Sequence, residues 1–357
     1  MYRKTTLLRI LTFLFLSGIV LLACQPEQKT TASTTLHAAD SSQWLSFERG
    51  VRAILEDSRG HLWFGSPDGL ARYDGEAMTY FSTEDGLCGK GVYHIQEDDK
   101  GTLWLQTSGG LCGFDGTSFF QPQDRDYTSK DAWDVAPGDL WFTPDVGNAP
   151  NEEEGGPGVY RLRKGKFTYL RFPVPQTANA GHLYMINTGA KHGPDGSVWF
   201  GTFEKAIGYG PEGFQFVGRE ELGLADSPNN MGIRTIAFDS QGRLWVGDNG
   251  HGVLVHAGDS TIDFNAQHRA TTEATGKSLM RAFAIEEGPD GAIWIGTVDS
   301  GVWRYHEGIL QNYTEAEGMT SQHIWTIYRD KQDRLWFGSE SPAGVYTFDG
   351  SRFTRAF

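Results

Sequence analysis

Asp57-Ser58-Arg59-Gly60-His61-Leu62-Trp63-Phe64-Gly65 decides the fold, because the chain says it again and again. Asp98-Asp99-Lys100-Gly101-Thr102-Leu103-Trp104 and Asp239-Ser240-Gln241-Gly242-Arg243-Leu244-Trp245-Val246-Gly247 are copies, and Trp199, Trp294 and Trp336 sit in the same phrase. Trp141, in Pro137-Gly138-Asp139-Leu140-Trp141-Phe142, marks a degenerate seventh copy. Successive tryptophans are 41, 37, 58, 46, 49 and 42 positions apart, which brackets the roughly 40–50 residues of a four-stranded propeller blade. Seven tryptophans imply seven blades.

Turn chemistry divides each unit into strands. An apolar stretch such as Val51 to Leu55 or Ile233 to Phe238 precedes the Asp-x-x-Gly turn, where glycine takes the positive φ that other residues resist, and the Trp strand follows it. A third strand opens on glycine, as in Gly69 to Tyr73, Gly110 to Phe114 and Gly344 to Phe348, and ends in Asp-Gly, a strong hairpin signal. A fourth follows, for example Ala77 to Phe81. Period-two strands without intervening helical pattern exclude an α/β barrel, and repeated units of four favour a propeller over a sandwich. The expected fold is therefore all-β: a seven-bladed β-propeller of four-stranded antiparallel blades over residues 44–357. The tryptophans are read as structural, one apolar filler between each pair of blades, each indole needing a hydrogen-bond partner. Both Gln43 to Phe47 and Ser351 to Phe357 could close the ring. The latter is expected to do so, being tethered through Asp349-Gly350.

These residues resemble the two component regulator propeller repeat, whose pattern runs Asp-x-x-Gly-x-Leu-Trp-[Phe/Ile]-Gly-[Ser/Thr], then Gly-Leu and a Tyr-Asp-Gly ending. The resemblance covers about 51 to 350 and is strongest in copies one, six and seven. In copies three and four the pattern breaks: Phe142-Thr143-Pro144 follows Trp141 without the glycine, and Gly158-Val159 stands beyond a long insertion, so the register from about 121 to 195 stays open. The resemblance implies an extracytoplasmic, sensor-like propeller. The kinase, transmembrane and DNA-binding parts of the family's sensors are not seen, and kinase activity is not carried over.

Arg3, Lys4 and Arg9 precede or flank an apolar run from Leu11 to Leu22 that ends in Leu21-Leu22-Ala23-Cys24. Residues 1–23 read as a signal peptide, too short to cross a bilayer as a helix. They resemble a bacterial lipoprotein signal, which implies acylation at Cys24 and a lipid bilayer as partner. Residues 24–43, rich in Thr, Ser, Ala and Gln, read as a flexible tether. Removing residues 1–23 would take the formal charge from −14 to −17. With no basic cluster, nucleic acid is disfavoured. A monomer in the cell envelope, periplasmic or surface-exposed, is expected.

The loops between strands two and three, and those between blades, emerge on one face, where function is expected. Strand one of each blade starts there beside the central channel. Alignment on the tryptophans places Arg52, Tyr93, Arg234 and Trp325 at equivalent positions, with Arg281 beside Phe283 in blade six, and changes of turn length allow Trp133 and Tyr184 to fill the third and fourth places. Such a ring suits stacking on sugars or aromatic ligands and pairing with carboxylates. It would equally serve as a plug between blades. Cys88 and Cys112 fall on the same face of blade two, and an exported location permits a disulfide, the alternative being two buried thiols.

Other chemical signals are thin. Asp145 with Glu152, Glu153 and Glu154 reads as a solvated acidic run, and His94, His182, His251 and His323 have no metal-ligand spacing. Thr271 to Ser278 lacks the first glycine of a phosphate loop, and no Gly-x-Ser-x-Gly occurs. No cofactor or metal is expected. The leading reading is a recognition module for a glycan or another envelope protein. The enzyme alternative is a lyase, since Gly193 to Phe200 and Gly288 to Trp294 resemble phrases of the streptogramin-inactivating propellers, although these are structural turns. A scaffold subunit is the third reading.

Overall fold

A computed structural model describes residues 45–122, 132–144, 156–175, 177 and 179–357. The signal, Cys24, the tether, Trp44 and the acidic run at 145 and 152–154 lie outside the described residues. The described chain is a seven-bladed β-propeller of antiparallel blades. In each blade the strands follow sequence order outward from the channel, as in Ala53–Glu56, Leu62–Ser66, Gly69–Tyr73 and Met78–Phe81 of blade one. Six sheets have four strands. Blade three shows three among the described residues, Leu140–Phe142, Gly158–Arg163 and Lys166–Arg171. Residues 132–136, ahead of its Trp strand, form no ladder. Blade seven is completed by Phe353–Arg355 on Gly344–Phe348. Leu45 and Phe47 are buried beside this closure without forming a strand.

All seven repeat tryptophans are buried, and each packs against the blade that follows: Trp63 on Leu103 and Phe114, Trp245 on Ile285 and Ile293, Trp336 on Leu62 and Phe64. A blade cannot bury this ring alone, so the last must meet the first. The aspartate of the repeat phrase couples the turn to the tryptophan. Asp57 Oδ1 accepts the Arg59 and His61 amides at 2.9 and 2.8 Å, and Oδ2 accepts the Trp63 indole N–H at 2.9 Å. Asp98, Asp239 and Asp330 hold Trp104, Trp245 and Trp336 in the same way. Burial pushes the Asp57 carboxyl up, and the bonds from Trp63, His61 and Arg59 outweigh it and hold the group below the usual range. The glycine of Trp-x-Gly has its own reason. A Cβ at Gly65 would stand 2.9 Å from the Val92 carbonyl oxygen of the next blade, and one at Gly338 would stand 3.0 Å from that of Val51.

One excursion from the pattern had no sequence signal in the repeat. Between blades five and six the chain forms two short helices, Phe264–Gln267 and Arg269–Thr275. Asp263 caps the first, and Phe264 packs on Trp245 at 5.1 Å.

Candidate functional site

The inner strands of blades two, five, six and seven share a defect. Their ladders slip by one residue between Val92 and His94, Ile233 and Thr235, Ala282 and Ala284, and Ile324 and Thr326. The unpaired residues are Tyr93, Arg234, Phe283 and Trp325. A β-bulge re-aims the side chain it carries, and these four line the central cavity of about 860 Å³ together with Arg52 and Glu340.

Around the mouth the side chains form a continuous arc across blades. The Arg52 guanidinium lies 3.3 Å from the centre of the Trp325 ring. Trp325 meets Phe283 edge to face at 4.8 Å. Arg234 sits between Phe283 and Phe203, at 5.3 and 5.2 Å, and Phe203 stacks on His182 at 5.0 Å. Glu340 ties the start of the arc, accepting from Arg52 Nη2 at 2.9 Å and from Trp325 Nε1 at 2.6 Å. Two donors remain over: Arg52 Nη1 and Arg234 Nε are buried without a hydrogen-bond partner. Among the described residues Arg234 makes no ion pair. Burial pulls both guanidinium groups below their usual range, countered at Arg52 by Glu340 and at Arg234 by the more distant Asp248, while Arg281 adds repulsion at Arg234. Buried donors of this kind are costly unless a ligand or water meets them. The same cavity is lined by Lys191, 3.3 Å from Glu286, and by His94, whose imidazole burial and the Lys191 charge pull down to about 4.

Of the seven residues expected at the mouth, Arg52, Tyr93, Arg234 and Trp325 are brought to the channel wall. Trp133 and Tyr184 are not. Trp133 is packed between blades three and four, 5.8 Å from Trp141 and 5.0 Å from Phe214, with its indole N–H on the Arg171 carbonyl. Tyr184 is buried in the same cluster, at the end of a short helical turn, Ala180–Leu183. Among the described residues blade three shows no inner strand and blade four has only Lys191–His192, so counting back from the tryptophan misplaces both residues. Arg281 also stands outside the wall, half-exposed and 3.8 Å from Asp299. Phe203 and Glu340, members of the arc, were legible only as loop residues on this face. Cys88 and Cys112 are joined by a disulfide, with Cα atoms 5.6 Å apart.

The two component regulator propeller pattern matches residues 47–68, 227–250 and 318–341. Those three stretches match the repeat of that family. No curated protein matches the sequence. Among solved structures, one described as the extracellular domain of a hybrid two component system, BT4673 from B. thetaiotaomicron, is 19% identical with a TM-score of 0.62, over 87% of this chain and 39% of that one. The chain thus spans well under half the length of that relative. Virginiamycin B lyase from Staphylococcus aureus is 14% identical over 83% of this chain and 96% of that one, with a TM-score of 0.57. YCF48 bound to D1 peptide is 13% identical over 85% and 94%, with a TM-score of 0.52. At these identities the likeness is one of fold.

Proposed function

We propose that the protein is an extracytoplasmic recognition module, held to a membrane through acylated Cys24, whose channel mouth binds an acidic saccharide. The observation that carries this reading is the pair of unsatisfied buried guanidinium donors, Arg52 Nη1 and Arg234 Nε, set among Tyr93, Phe283 and Trp325. Aromatic faces suit the apolar face of a sugar ring, and arginine forks suit a carboxylate. The rest of the chain is acidic, so a basic mouth is a local device. The fold shared with the extracellular domain of a two component system, and the repeat pattern matched here, favour sensing at the mouth, whose groups stand on loops and bulges.

A glycan array probed with the purified protein, alongside a pulldown from envelope extracts, tests the proposal. Retention on uronic-acid glycans, lost in Arg234→Ala, supports it. A reproducible protein partner with no sugar binding would replace it with a scaffolding role.

A further inference from the structure

A second cavity, of about 360 Å³, opens among the loops of blade five. Leu224, Leu254, Leu279 and Met280 give it an apolar wall, and Arg269 and Lys277 bring two positive charges against the one carboxylate of the lining, Asp263. His251 lines it and stands at the centre of a hydrogen-bonded chain. Its Nε2 is 2.9 Å from Ser227 Oγ, and its Nδ1 is 2.8 Å from Asp248 Oδ1. Asp248 is fully buried, and it also accepts the amides of His251 at 3.1 Å and Gly232 at 2.6 Å. A carboxylate held by donors acts as acceptor only, so the ring proton is assigned to Nδ1 and Nε2 is left to accept the serine proton. A serine nucleophile needs that tautomer in its general base.

The chain is a departure from the repeat. Three residues after the repeat tryptophan stand Ser66, Thr107, Thr202, Thr297 and Ser339 in blades one, two, four, six and seven, and these hydroxyls tie the following turn, as Thr107 does to the Gly110 carbonyl at 2.7 Å. Blade five has Asp248 there. A hydroxyl suffices for the turn, whereas orienting a histidine takes a carboxylate.

We propose that Ser227, His251 and Asp248 act as nucleophile, base and orienter in the hydrolysis of a carboxylic ester, one bearing a negative charge beside an apolar group to suit Arg269, Lys277 and the leucine wall. Ser227 Oγ adds to the ester carbonyl carbon as its proton passes to His251 Nε2. The bond to the alcohol oxygen then breaks, and that oxygen leaves with the proton. Water adds to the acyl-serine, giving its proton to Nε2, and the acid departs as the proton returns to Ser227 Oγ. The sum is ester plus water to acid plus alcohol.

The test is labelling with a fluorophosphonate, which phosphonylates activated serines, read by peptide mass. The expected result is one adduct on the peptide holding Ser227, absent in Ser227→Ala and formed about 100-fold more slowly or worse in His251→Gln. Ser227→Cys, which keeps the bond to His251, provides a second reading that does not depend on His251→Gln folding: its thiol should react with iodoacetamide about 100-fold faster than a free thiol at pH 6. A native protein unlabelled at Ser227, labelling unchanged in folded His251→Gln, or an ordinary thiol rate in Ser227→Cys would overturn the proposal and leave the chain a loop brace.

Discussion

Replacing Trp245 by phenylalanine removes an indole N–H and part of a ring from the seam between blades five and six. That N–H is donated to Asp239 Oδ2 at 2.8 Å, and the Asp239 side chain is 1% exposed, so water cannot take its place. Losing a bond to a buried, ionised partner is worth about 1.5–3 kcal/mol. The lost apolar area adds about 1 kcal/mol, so Trp245→Phe is expected to destabilise the protein by about 2.5–4 kcal/mol in all. Trp141 is the internal control. It is just as buried, but among the described residues its Nε1 has no partner, because the position six before it, which holds the clasp aspartate in the other four cases, is Val135. Trp141→Phe therefore loses ring area alone, about 1 kcal/mol. Equilibrium urea denaturation followed by far-ultraviolet circular dichroism measures both. Equal losses for the two variants, or the larger loss at Trp141, would refute the aspartate clasp as a source of stability.

His94 should make stability fall as pH drops. The unfolded imidazole takes up a proton near pH 6.5, and the folded one, pulled down by burial and by Lys191, does so only at about 4. The folded state thus loses stability between those values, by about 3 kcal/mol in total, and loses no more below them. His94 keeps some solvent contact through the channel, yet it sits deep in the wall, where screening is weak. Urea midpoints at pH 7 and 4.5 should differ less in His94→Gln than in the native protein, and equal slopes would sink this assignment. Reducing the Cys88–Cys112 bridge, across a sequence separation of 24, should destabilise blade two's entry loop by about 3.5 kcal/mol on the chain-entropy estimate; an unchanged midpoint in dithiothreitol would contradict that. Trp325→Ala and Tyr93→Ala should abolish saccharide binding in a folded protein, whereas variants that fail to fold would show these residues to be a plug.

The blade count was legible because each tryptophan answers a need that recurs at every seam, and Asp57, Asp98, Asp239 and Asp330 recur with it. The mouth was legible at Arg52, Tyr93, Arg234 and Trp325 for the same reason: they stand at a constant offset from Trp63, Trp104, Trp245 and Trp336. The bulges that turn Tyr93, Arg234 and Trp325 inward left no mark, since one slipped ladder pair needs no special residue. Trp133 and Tyr184 were misplaced where, among the described residues, the inner strand is short or forms no ladder for an offset counted from the tryptophan to act through. Ser227, Asp248 and His251 could not be grouped from sequence, because the loop before blade five brings Ser227 to the turn that holds the other two. Asp248 alone, a carboxylate where five of the other six blades have a hydroxyl, was a signal that could have been read.

The most direct test of the mouth is a calorimetric titration of the native protein and of Arg234→Ala with an oligosaccharide of uronic acids and with its neutral parent. The expected result is binding of the acidic sugar over the neutral one, weakened about 10- to 100-fold in the variant, as loss of a charged hydrogen bond requires. Equal affinity for the two sugars, or an acidic-sugar affinity that survives Arg234→Ala, would contradict it.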